Sequence, residues 1–172
     1  FTTGTTSDAI APTVSFTIPV DSATDVALNS TVNAAFSEVM SAATLTTATF
    51  TVHQGTTPVS GTVTYVGTTA TFKPTGNLTT STPYTATLTT GVKDLAGNAL
   101  AANKVWSFTT GTTLDNTAPT VRSTIPLDAA TGVLLNSTVN ATFSEVMNAA
   151  TLNTATLTLK QGTTPVLGAV TS

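Results

Sequence analysis

The sequence predicts an all-β protein made of tandem antiparallel β-sandwiches, with about seven strands in each 107-residue repeat. Three observations carry this. Position n matches position n + 107, so that Phe1 to Tyr65 set against Phe108 to Ser172 keeps about 47 of 65 residues. Apolar residues recur at every second position in short runs, as in Val14, Phe16 and Ile18 or in Tyr84, Ala86 and Leu88, which is the spacing of a half-buried strand. Proline, glycine and asparagine punctuate these runs about every 8 to 12 residues, and no segment holds a long helical period.

The repeat divides the 172 residues into the tail strand and linker of a preceding repeat (1–11), one complete domain with its linker (12–118) and the N-terminal half of a second domain (119–172). Half a sandwich would leave apolar faces and strand edges open. The sequence is therefore expected to be a window on a longer chain, or to have its second domain completed by another molecule.

Along the complete repeat, Val14 to Ile18 is the first strand, closed by Pro19, and Val20 to Ser30 is a loop carrying Asp21 and Asp25. Val32, Ala34 and Phe36 make the second strand. Ser37 to Leu45 loses the two-residue period and is expected to hold one helical turn. Phe50 and Val52, then Val59 to Tyr65 after a hairpin at Gly55, then Ala70 and Phe72, give three more strands, ended by Pro74. A crossing loop containing Gly76, Asn77 and Pro83 leads to Tyr84, Ala86 and Leu88, and a tyrosine opening such a strand suggests a tyrosine corner. The turn Val92 to Asn98 returns the chain to a last strand with Trp106 and Phe108 on its inner face. Short strands in this order, with turns between them, indicate a sandwich of immunoglobulin-like type.

Five segments then carry a family resemblance: Ala11-Pro12-Thr13-Val14, Ala23-Thr24-Asp25-Val26, Phe36-Ser37-Glu38-Val39-Met40, Lys93-Asp94-Leu95-Ala96-Gly97-Asn98 and Trp106-Ser107-Phe108-Thr109-Thr110-Gly111. In order, they resemble the bacterial Ig-like domain first noted in S-layer proteins. One departure is Val39, with its copy Val146, where members of that family often have proline. The resemblance implies an extracellular or cell-surface location and a spacer, lattice or adhesin-stalk role; it supplies no ligand.

Composition narrows the chemistry. Five basic and eight acidic side chains leave a net charge of −3, without the basic footprint of a nucleic-acid binder. No cysteine is present, hence no disulfide framework or thiolate metal site, and no apolar run is long enough for membrane insertion. No base and orienting acid accompany the many hydroxyls, so no catalytic residue is assigned and the segment is read as not an enzyme. His53, replaced by Lys160 in the next repeat, falls on the outward phase of its strand. Trp106 falls in core phase rather than as a sugar platform. Asn29, Asn77, Asn136 and Asn140 head N-x-S/T triplets, which arise readily in so threonine-rich a chain. Lys73 as an isopeptide donor has no specific signature.

The acids are the candidate site. In an immunoglobulin-like topology the start of the first strand, the loop after the second and the loop before the last meet at one pole, which places Asp8, Glu38 and Asp94 together. Asp115 and Glu145 are the counterparts of Asp8 and Glu38. Asp21 and Asp25 are expected at the opposite pole, towards Asp115 and Asn116 of the next linker. Calcium, which takes six to eight hard oxygen ligands, is the candidate ion. Against it stands the reading in which these residues only make turns, and Gly132 in place of Asp25 breaks the repetition of that ligand.

The leading expectation is a non-catalytic structural repeat of a bacterial cell-surface or extracellular filamentous protein, partnered by neighbouring repeats of the same or identical chains. Two alternatives stand beside it. One is a filament or S-layer subunit in which Phe1, Thr2, Thr3 and Gly4 complete a neighbour's sandwich by strand donation; the other is an adhesive module for a surface glycan or a host protein.

Overall fold

The structure, a computed structural model, describes residues 8–145 and 147–171. It divides after Asp115 into two units. The described residues of the first form a β-sandwich of nine strands: β1 (Val14–Ile18), β2 (Ala23–Val26), β3 (Val32–Phe36), β4 (Phe50–Gln54), β5 (Thr57–Pro58), β6 (Gly61–Val66), β7 (Thr69–Pro74), β8 (Pro83–Leu88) and β9 (Lys104–Thr110). One sheet has the order β1-β3-β7-β6 and the other β2-β9-β8-β4-β5.

Two strand switches account for the excess over seven. The first strand of the sequence reading leaves its sheet after Ile18, and the chain resumes as β2 in the opposite sheet. There it runs parallel to β9, pairing Ala23 with Phe108 and Val26 with Thr110. The segment expected to be a loop therefore contains a strand, and one pairing of an otherwise antiparallel sandwich is parallel. The likeness to a loop is physical: Asp25 stands at φ 55° and the register shifts between Ala23 and Val26, so no two-residue period survives. The second switch lies inside the run read as Val59 to Tyr65. Val59 N still donates to Val52 O at 2.8 Å, whereas Gly61 opens β6 against β7 in the other sheet.

Alternation fills the core as the period dictates except in β1, where the register shift between Val14 and Phe16 turns Phe16 outward, 56% exposed, and buries Thr17. Phe50, Phe72 and Trp106 come from β4, β7 and β9; the Phe50 ring centroid lies 5.9 Å from that of Phe72 and 5.8 Å from that of Trp106. Tyr84 and Phe108 stack at 5.6 Å across β8 and β9. Each such side chain contributes roughly 1.5–3 kcal/mol on burial. β3, between β1 and β7, is buried along its whole length. Its Asn33 is satisfied there: Thr71 Oγ1 donates to Asn33 Oδ1 at 2.7 Å, and Asn33 Nδ2 donates to Thr31. Tyr84 makes the expected corner, its hydroxyl accepting from Thr79 N at 2.8 Å. The helical turn after β3 is a short 3-10 turn at Ala42–Thr44.

The described residues of the second unit repeat β1, β3, the 3-10 turn, β4 and β5 of the first. β10 (Val121–Ile125) and β11 (Asn140–Phe143) pair as β1 and β3 do, Val121 with Phe143 as Val14 with Phe36, with the register shift at the same place. A 3-10 turn at Ala149–Thr151 and the hairpin of β12 (Leu159–Gln161) with β13 (Thr164–Val166) follow. The counterpart of β2 is not a strand, because among the described residues of this unit nothing takes the place of β9. Val139 is 44% exposed where its copy Val32 is 0% exposed. An open groove of about 1030 Å³, lined by residues including Ala141, Phe143, Leu157 and Val170, lies where the first unit has its core.

Candidate cation site and linker clasp

Backbone geometry explains most of the acids before any ligand is invoked. Asp21 is placed at the strand switch rather than at a pole: Ser107 N donates to its Oδ1 at 2.9 Å and Ser107 Oγ at 3.4 Å. That hydrogen bond from the Ser107 backbone is the main reason its carboxyl sits below the ordinary aspartate range. Asp25 occupies a left-handed position in β2, and its counterpart Gly132 has φ 69°. Glycine and aspartate both tolerate that conformation, so the repeat preserves a backbone shape there, not a ligand. The Asp25 backbone also packs against Gly111, where a Cβ would come within 3.2 Å of Asp25 Cα.

Asp8, Glu38 and Asp94 are brought together, as the topology requires. One carboxylate oxygen from each lies within 4.8 Å of the others. Asp8 precedes β1, Glu38 follows β3, and Asp94 lies between β8 and β9. Asp8 and Asp94 are held locally. Asp8 Oδ1 accepts from Ile10 N at 2.9 Å, and Asn98 Nδ2 donates to Asp8 O at 3.3 Å. Asp94, 2% exposed, accepts from Asn98 N at 2.8 Å and from Asn98 Nδ2 at 2.7 Å, while Gly97 takes φ 97° to close the turn. Burial pushes the Asp94 carboxyl up, but the hydrogen bonds from Asn98, Gly97 and Ala96 outweigh it, and the group ends below its ordinary range. Glu38 goes the other way. Partial burial raises it most, and the charges of Asp8 and Asp94 raise it further.

Chemically this is a hard-oxygen donor set with surplus negative charge, of the kind that accepts a divalent cation, completed by backbone carbonyls or water. Among the described residues it is the one group of three potential metal ligands. Asp21, Asp25 and Asp115 do not belong to it. Glu145 lies half-buried in the second unit and lines its groove. Asp115 closes the first unit and Asn116 opens the second. Phe1, Thr2, Thr3 and Gly4 lie outside the described residues.

At the other end of the first unit the linker is bound to the domain that it leaves. Gly111 N donates to Val26 O at 2.9 Å and Leu28 N to Thr113 O at 3.0 Å, continuing the parallel β2–β9 ladder beyond both strands. Asn29 finishes it: Asp115 N donates to Asn29 Oδ1, and Asn29 Nδ2 donates to Asp115 O, both at 2.9 Å. Asn29 was legible only as part of an N-x-S/T triplet. Its repetition as Asn136 was the one sequence signal of a structural duty.

Two antiparallel-dominated sheets, a first strand that changes sheets and a tyrosine corner define an immunoglobulin-like domain. The family model for the bacterial Ig-like domain matches residues 8–110 and again 115–172, and the chain belongs to that family. None of the curated proteins matches it. Among solved structures it is similar to the N-terminal part of the bacterial S-layer protein SbsC, at 20% identity and a TM-score of 0.48 over 66% of this chain and 26% of that one. It is similar also to domains 1–6 of the same protein, at 19% identity and a TM-score of 0.49 over 67% and 17%. The chain thus spans about a quarter or less of those structures.

Proposed function

We infer that this chain is a non-catalytic structural repeat of a bacterial cell-surface or extracellular protein, acting as a spacer or stalk. The observation that carries the reading is the linker clasp. A domain that hydrogen-bonds its own exit segment through Val26, Leu28 and Asn29 hands the next copy a directed, pre-ordered connection. Family membership and the 107-residue period support the same reading. Reach then grows with copy number. The test is small-angle scattering from arrays of one, two and three repeats: the maximum dimension should rise by a constant increment per repeat, and arrays that collapse into a compact particle would overturn the spacer role.

The acid cluster supports a second element of this reading, calcium bound by Asp8, Glu38 and Asp94 next to the incoming linker. An ion there would neutralise the repulsion that raises Glu38 and fix Asp8 against the two loops. Calorimetry with calcium and with a chelator checks it. Wild type should melt at a higher temperature with calcium and Glu38→Gln should respond much less; identical shifts in both would remove calcium from this pole.

A further inference from the structure

Among the described residues, the first unit has four strands at sheet edges, and three are blunted. β1 carries a register shift at Val14/Phe16, β2 is four residues long with a shift of its own, and β5 has two residues, one of them Pro58. These are the usual ways in which native sheets discourage pairing with another chain. β6 has none of them. Its six residues, Gly61-Thr62-Val63-Thr64-Tyr65-Val66, contain no charge and no proline and pair with β7 without a shift.

The hydrogen-bonding groups of that edge can be assigned. Thr75 N donates to Ser60 O at 2.9 Å, so Ser60 turns its backbone groups towards β7. Antiparallel pairs alternate between bonded and non-bonded, so Thr62, Thr64 and Val66 do the same, and Gly61, Val63 and Tyr65 direct theirs outward. Pro74, which has no N–H, stands opposite Gly61, as a non-bonded pair permits. Thr62, Thr64 and Val66 present exposed side chains on the outer face; Val63 and Tyr65 are half-buried on the inner one.

We propose that β6 is a lateral self-association edge, whose partner is β6 of a second copy of this chain, antiparallel about a two-fold axis at Thr64. This goes beyond the spacer reading. With Thr64 opposite its own copy, Val63 meets Tyr65 and Thr62 meets Val66, so inward residues face inward ones and outward residues outward ones. Val63 and Tyr65 are also the residues whose outward N–H and C=O groups form bonded pairs in this register. An uncharged strand offers its own copy no repulsion.

The second observation pointing to a copy is periodicity. Val166, Gly168, Val170 and Thr171 repeat Val59, Gly61, Val63 and Thr64, while Ala169 and Ser172 replace Thr62 and Tyr65, so an uncharged segment of the same small and β-branched pattern recurs at the 107-residue period. One strand pairing buries less surface than a stable standard interface, and a periodic series of them gains by effective concentration. Weak association of single edges and tight association of arrays follow.

The experiment is sedimentation equilibrium of the 172-residue chain over a wide concentration range, with backbone amide exchange read at Val63 and Tyr65. Wild type should associate reversibly, and both amides should gain protection as concentration rises. Thr64→Lys sets like charges opposite one another and should weaken association about tenfold or more, with the melting temperature of the first unit unchanged because the side chain is exposed. Thr64→Val should retain association. A wild type that stays monomeric, association unaffected by Thr64→Lys, or amide protection independent of concentration overturns the proposal. Binding of an unrelated extended peptide at these amides in place of a second copy overturns it too.

Discussion

Glu38 and Asp94 lie in one cluster and answer to pH in opposite senses. Glu38 is raised in the folded state, so folding binds its proton more tightly; the ion-free protein should gain stability as pH falls from neutral through that raised value. Asp94 is lowered, so the stability it contributes is full above its unfolded value and is lost as pH falls through the folded one. Chelator-treated Glu38→Gln should therefore melt above wild type near neutral pH, and the difference should close on acidification, as thermal melts across pH would record. Asp25→Gly belongs to the same scale but to backbone physics. It should leave stability unchanged or raise it, whereas Asp25→Ala should cost about 1 kcal/mol for an alanine held at positive φ, measured by urea unfolding. The convergence of Asp8, Glu38 and Asp94 was readable from sequence because topology alone carries those loops to one pole. The duty of Asp25 was not, since a left-handed aspartate and a ligand aspartate are the same letter.

Strands with a strict two-residue period were legible, and those that change sheets were not. Val32, Ala34 and Phe36, or Trp106 and Phe108, announce an inner face because one sheet covers it throughout. β2 shows no such pattern because its four residues serve a bulged parallel pairing with β9. The clasp that continues this pairing also escaped the sequence, because half of its hydrogen bonds are backbone to backbone and its one side chain, Asn29, is of a type common in turns. Asn29→Ala should leave the core intact and speed amide exchange at Asp115 by severalfold, with little change at Leu88. Tyr84→Phe should instead cost the whole domain about 1 kcal/mol in chemical unfolding, because it strips Thr79 N–H of its acceptor.

For the molecule as a whole, the two units test what the later strands of a repeat contribute. Their first halves keep most residues in common, yet Val32 and Phe36 are buried where Val139 and Phe143 are not. The difference lies in β7, β8 and β9, which cover the first set. Hydrogen exchange on the 172-residue chain should accordingly show strong protection in β3, β4, β8 and β9 and weak protection throughout β10 to β13, and equal protection in both would contradict the exposed faces seen here. The parallel β2–β9 pairing has a last consequence, concerning force. In the first unit the chain enters ahead of β1 and β2 and leaves after β9, so tension between the two ends drags β2 and β9 past each other in opposite directions. Their bonds, with those from Gly111 and Leu28, are then loaded in shear and must fail together rather than peel one at a time. A domain tethered in this way resists stretching along the chain better than one whose terminal strands can peel apart bond by bond.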